Sequence, residues 1–159
     1  MTSLALRPED FYHTGIIVPD LDAAMDRLSA LAGYRWITPV SYTLPFRTTS
    51  GTQEVTSTFV YSLQAPHVEL INEVPGTAWT AAPGNAIHHL GYWTDNLAES
   101  AKLLEDNGFA FEATADTAAP ELALFAYYVD SAGTRIEIVD RALFPDFPAF
   151  LQAAAGPQS

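Results

Sequence analysis

A chain of 159 residues, 48% apolar and 12% aromatic, is long enough to bury one sizeable core and too apolar to be disordered. Seven Lys and Arg against nineteen Asp and Glu give a formal net charge of −12, which repels nucleic acid and anionic membrane surfaces. The absence of cysteine excludes disulfides, thiolate metal sites and cysteine nucleophiles; with no signal-like or membrane-spanning apolar run, a cytoplasmic protein without membrane partners is expected.

In chain order, the first block is Tyr12-His13-Thr14-Gly15-Ile16-Ile17-Val18-Pro19-Asp20-Leu21, a strand leading into a turn. A helix is predicted from Asp20 to Ala32, because Leu21, Ala24, Met25, Leu28 and Leu31 recur at helical spacing. Asp20 is its N-cap and Gly33 its left-handed stop. Pro39 to Gly51 reads as a loop or a poorly regular strand, since it holds Pro45, Thr48, Thr49 and Ser50. Gln53 to Leu63 is rich in β-favouring residues, and Val68-Glu69-Leu70-Ile71-Asn72 closes the half. Val74 to Gly84 joins the halves and carries Trp79, which is expected to pack.

The second half repeats the first. His88-His89-Leu90-Gly91-Tyr92-Trp93-Thr94-Asp95-Asn96-Leu97 lies over the opening block, and a helix follows from Asn96 to Asn107 with Gly108 after it. Glu121 to Asp130 reads as a strand, and Ile136-Glu137-Ile138-Val139-Asp140 matches Val68–Asn72. The spacing therefore gives an α+β chain in which one βαβββ unit is used twice. Module one spans about residues 11–73 and module two about 86–141. A helical tail at about 144–155 places Phe144, Phe147 and Phe150 three apart, as if to dock, and stops at Gly156-Pro157.

The repeat gives four residues chemical meaning. His13 and His89 occupy equivalent positions on the first strand of each half; Glu69 and Glu137 do so on the last. Alone, each glutamate reads as the solvent face of a strand and each histidine as a core or rim residue. Paired by a pseudo-twofold, they become two imidazoles and two carboxylates, a ligand set for one divalent Zn, Ni, Co, Fe or Mn ion. His88 competes with His89, but the repeat aligns His13 with His89 and turns His88 to the opposite face. His67 and Arg135 lie two residues before Glu69 and Glu137; they either line the cleft as substrate contacts or sit at its rim.

These ordered blocks, from His13-Thr14-Gly15 to Ile136-Glu137-Ile138, resemble the vicinal oxygen chelate superfamily over about residues 11–141. This is the group of glyoxalase I, methylmalonyl-CoA epimerase, extradiol dioxygenases and the bleomycin- and fosfomycin-resistance proteins. The resemblance implies one domain over residues 1–159, with paired βαβββ modules forming a curled mixed sheet around a metal-centred cleft. It puts the four ligand positions on His13, Glu69, His89 and Glu137, the set of bacterial-type glyoxalase I, where the epimerases have Gln at the second position. It further implies an isomerase, epimerase or lyase working through a metal-stabilised enolate, with Glu137 as first candidate base and Glu69 as second. The expected partner is a small-molecule substrate and the expected assembly a homodimer.

The substrate is expected to be a neutral or cationic carbonyl compound. One lysine, Lys102, and six arginines are a thin supply for the phosphates of an acyl-CoA, and the first helix offers only Arg27 towards glutathione carboxylates. Two rival classes remain. An extradiol dioxygenase uses two His and one carboxylate, so Glu69 counts against it. A drug-binding resistance module suits the −12 charge, although such modules lack the full ligand set.

Overall fold

The computed structural model describes Leu4, residues 6–81 and residues 87–155. The linker residues 82–84, the first residue of module two (86) and the stop at Gly156-Pro157 lie outside them. The elements run β1 (Phe11–Val18), α1 (Leu21–Ala32), β2 (Val40–Thr48), β3 (Gly51–Tyr61), β4 (Val68–Asn72), β5 (His89–Thr94), α2 (Leu97–Asp106), β6 (Ala110–Ala115), β7 (Phe125–Val129), β8 (Arg135–Asp140) and α3 (Phe147–Ala154). This is βαβββ twice, then a helix. The strands are hydrogen-bonded in the order β1-β4-β3-β2-β6-β7-β8-β5 in one curled mixed sheet. No helix among the described residues is long and apolar enough to cross a membrane.

Both repeat helices begin alike. The Asp20 carboxylate accepts the N–H of Ala23 at 3.0 Å and the Asn96 side-chain oxygen accepts that of Glu99 at 3.0 Å, satisfying donors that a helix start leaves open. Gly33 ends α1 at φ +75° and Gly108 follows α2 at φ +89°, a conformation cheap only for glycine. The strand pairing repeats as well. β1 runs parallel to β4 with Gly15 opposite Glu69, and β5 runs parallel to β8 with Gly91 opposite Glu137.

Three segments refine the expectation. Of the loop and the poorly regular strand expected for residues 39–51, the strand holds: β2 is a nine-residue strand whose exposure alternates, with Tyr42, Leu44 and Phe46 on the more buried face, and Thr49-Ser50 make the turn after it. Pro45 hides that alternation, yet its carbonyl still accepts the N–H of Asp116 at 2.8 Å. β7 starts at Phe125 rather than Glu121, because Leu124 takes φ +66° and cannot continue a strand. The Thr114 hydroxyl holds this corner by donating to the Phe125 carbonyl at 2.8 Å. β6 is concealed by Ala110, Ala113 and Ala115, residues of weak β preference.

By its contacts the chain gathers into two compact units: Met1–Tyr12, Leu44–Val55 and His89–Leu143 in one, His13–Thr43, Thr56–His88 and Phe144–Ser159 in the other. The tip of the β2–β3 hairpin joins the first because Phe46 to Thr48 pair with Ala113 to Ala115 of β6. In that unit Ala101 and Leu104 of α2 pack on Ala126, Tyr128, Ile136 and Ile138. In the second, Trp36, Ile37, Val60, Leu70 and Ile71 are buried, and Trp79 is 2% exposed, packed as expected. The tail docks on its own unit. Phe147 meets the rings of Tyr61 and His67 edge-on, each at 5.3 Å, and Thr38 N–H donates to the Ala154 carbonyl at 2.7 Å.

Candidate metal centre

Each unit carries one histidine–glutamate pair built the same way. In one, His13 of β1 and Glu69 of β4 are 1% and 6% exposed, and Nε2 lies 3.5 Å from the carboxylate Oε1. In the other, His89 of β5 and Glu137 of β8 are again 1% and 6% exposed, with Nε2 again 3.5 Å from Oε1. The sequence sets this up through strand parity. Each histidine shares its strand face with the glycine two residues on, and that glycine faces the glutamate on the neighbouring strand without a side chain to crowd it.

A buried carboxylate is costly unless its charge is compensated, and two recur here in a chain already at −12. His13, Glu69, His89 and Glu137 are buried His and Glu side chains of the kind able to bind a metal, each offering one ligand atom. Imidazole nitrogen with carboxylate oxygen suits divalent first-row ions.

An aromatic edge backs each imidazole. Tyr61 meets His13 at 5.5 Å and 78°, and Tyr127 meets His89 at 5.2 Å and 78°. Both tyrosines stand directly opposite the glutamate of their hairpin, Tyr61 across from Glu69 and Tyr127 across from Glu137. Sequence reading missed them. The signal lies in the hairpin register, which places one eight residues before its glutamate and the other ten, so no fixed spacing exposes the pair.

The neighbouring candidates are engaged elsewhere. His88 points Nε2 at the Ala78 carbonyl at 2.8 Å, while its backbone N–H donates to Gly15 O at 2.8 Å. His67 lies just ahead of β4; its Nδ1 meets the Ser62 carbonyl at 3.1 Å and its ring packs on Phe147. Arg135 opens β8 and donates to both carboxylate oxygens of Glu112, at 2.8 and 2.9 Å.

Comparison with known proteins adds a family and a fold. A family model described as Glyoxalase/Bleomycin resistance protein/Dioxygenase superfamily matches residues 12–128. No curated protein matches the chain. A Streptomyces coelicolor methylmalonyl-CoA epimerase variant in complex with 2-nitronate-propionyl-CoA superposes with a TM-score of 0.55 at 16% identity, covering 82% of this chain and 96% of that one. The epimerase from Mycobacterium tuberculosis gives 0.53 at 17%, covering 82% and 87%. A methylmalonyl-CoA epimerase bound to methylmalonyl-CoA and ammonium gives 0.52 at 18%, covering 93% and 98%. At these identities the likeness is one of fold.

Proposed function

The chain belongs to the glyoxalase/bleomycin resistance protein/dioxygenase superfamily, and on that premise we propose a metal-dependent isomerase, epimerase or lyase acting on a small carbonyl compound. His13, Glu69, His89 and Glu137 would hold one divalent ion, for which their donor types are suited. Such an ion, when bound, supplies a Lewis acid that stabilises the negative charge of an enolate. The chain's own task is proton transfer: Glu137 takes the proton beside the carbonyl and returns it, with Glu69 second in line. The observation that carries the proposal is the same buried His–Glu pair, at the same strand positions and the same 3.5 Å separation, in both halves.

A neutral or cationic substrate is favoured by the engagement of most of the chain's cations, among them Arg135 by Glu112, Arg141 by Asp10 and Asp95, and Lys102 by Asp106. The net charge of −12 favours one second reading, a module that sequesters a cationic drug without turnover. The proposal takes residues 1–159 as one domain of a cytoplasmic homodimer, for which sedimentation gives the assembly.

The experiment is metal analysis combined with solvent deuterium exchange. Protein purified without chelator is assayed for metal, then offered hydroxy-ketones, hemithioacetals and 2-substituted thioesters, including CoA esters, with exchange followed by NMR. Near-stoichiometric metal and exchange beside one carbonyl are expected. Glu137→Gln keeps an oxygen of the same shape but no basicity, so exchange should fall by about 10²–10⁴-fold while metal is largely retained. Exchange untouched by Glu137→Gln moves the base elsewhere. Absence of exchange with tight binding of a cationic drug replaces catalysis by sequestration.

A further inference from the structure

The unit that contains α3 has a cavity of about 470 Å³ whose walls include Arg35, Leu63, Ala65, His67, Pro148 and Leu151. Small-molecule sites occupy about 300–1,000 Å³ and combine apolar walls with a few fixed polar groups; this one has both. Leu63, Ala65, Pro148 and Leu151 supply hydrocarbon. His67 is held in place from two sides, by the Ser62 carbonyl at 3.1 Å and by the ring of Phe147 at 5.3 Å, so it forms a rigid polar wall.

Arg35 sets the charge. Among the described residues its guanidinium makes no ion pair and no hydrogen bond, although the chain carries nineteen acids to seven bases. Arg7, Arg135, Arg141 and Lys102 all pair with carboxylates, and Arg47 donates to the carbonyls of Ala119 and Pro120. Arg27 also lacks a partner but stands on the exposed side of α1. Among the described residues Arg35 alone is an unpaired cation in the wall of this cavity. Its backbone is fixed, since its N–H donates to the Gln64 side chain at 2.9 Å and its carbonyl accepts from Leu63 N–H at 2.7 Å. The fork of a guanidinium matches a carboxylate in a way that neither water nor an ammonium does.

We infer that this cavity binds an organic carboxylate with an apolar body, the carboxylate on Arg35 and the hydrocarbon against Leu63, Pro148 and Leu151. None of the four His–Glu residues lines it, so binding here does not depend on an ion. The site is independent of the catalytic proposal.

3-Phenylpropionate and its uncharged amide, 3-phenylpropionamide, are titrated by calorimetry and by NMR line-shape changes into chelator-treated and zinc-loaded protein. Saturable binding of the acid is expected in both preparations. The amide, and the acid with Arg35→Gln, should bind about tenfold or more weakly, as loss of a charged hydrogen bond implies. Leu151→Trp should fill the cavity and remove binding, while Glu137→Gln should leave it intact. Arg35→Gln alters an exposed side chain, so its melting temperature should match wild type; if it does not, the acid–amide difference on unaltered protein decides. No saturation by the acid, equal binding of acid and amide, or binding that appears only with zinc or disappears in Glu137→Gln would each overturn the assignment.

Discussion

Replacing His13 and His89 by alanine, one at a time, asks whether the two pairs are equivalent ligands. Each imidazole is 1% exposed and stands 3.5 Å from its own glutamate, so neither has a geometric claim to bind more strongly. Four-ligand structural sites are worth about 10–16 kcal/mol in all, roughly 2.5–4 kcal/mol for each ligand, or about 10²–10³-fold in affinity. Both variants should lose that much, and by amounts within about tenfold of each other. An ion present at about 1,000 times its dissociation constant stabilises the fold by about 4 kcal/mol, and each variant should forfeit most of this. Competition with a fluorescent chelator gives the affinity, and urea unfolding with and without metal gives the stability. His88→Ala is the control: its Nε2 is on the Ala78 carbonyl at 2.8 Å, so it should keep the metal. A His88→Ala protein that loses metal while His89→Ala retains it refutes the register. One histidine variant that binds like wild type refutes the equivalence.

What the sequence made legible follows from local chemistry. β4 falls on Val68–Asn72 as expected and β8 begins one residue before Ile136, because aliphatic residues flanked by polar ones define a buried strand. α1 and α2 fall between Asp20 and Gly33 and between Asn96 and Gly108, because capping is a short-range hydrogen bond. The His–Glu pairs were legible because parallel pairing of the first and last strands preserves the repeat. Features that depend on register across a turn were hidden. Tyr61 and Tyr127 are equivalent in space but not in spacing, since the hairpins that carry them differ in length. The face shared by His67 and Glu69 assumed a strand reaching residue 67; β4 starts at Val68, and the ring turns to Ser62 and Phe147. Arg135 is on its strand as assumed, but Glu112 engages it, and that carboxylate is distant in sequence.

Phe147→Ala removes a ring 8% exposed that touches Tyr61 and His67; urea unfolding should show a loss of about 3 kcal/mol, and an unchanged midpoint would mean that α3 is not docked. Tyr127→Leu removes the edge held at 5.2 Å from His89 and should weaken metal binding by about 10-fold without abolishing it, the scale of outer contacts around a ligand; chelator competition that cannot tell it from wild type would reduce the tyrosine to packing. The Asp10 carboxylate accepts from Arg141 at 2.7 Å and from Arg7 at 3.1 Å. Burial pushes its pKa up, but the hydrogen bonds and charges of the two guanidinium groups together outweigh that and hold it below the ordinary 3.8. A group whose folded pKa is depressed contributes stability above its unfolded pKa and loses it as pH falls through the folded one. Asp10→Asn should therefore cost about 1 kcal/mol near neutrality, the low end for a charged contact because Arg141 is 39% exposed and solvent screens it. Unfolding curves for both proteins at descending pH should show that gap shrinking below about pH 4 and closing once Asp10 is protonated. A gap that stays constant or widens in acid would mean that Asp10 acts through shape rather than charge.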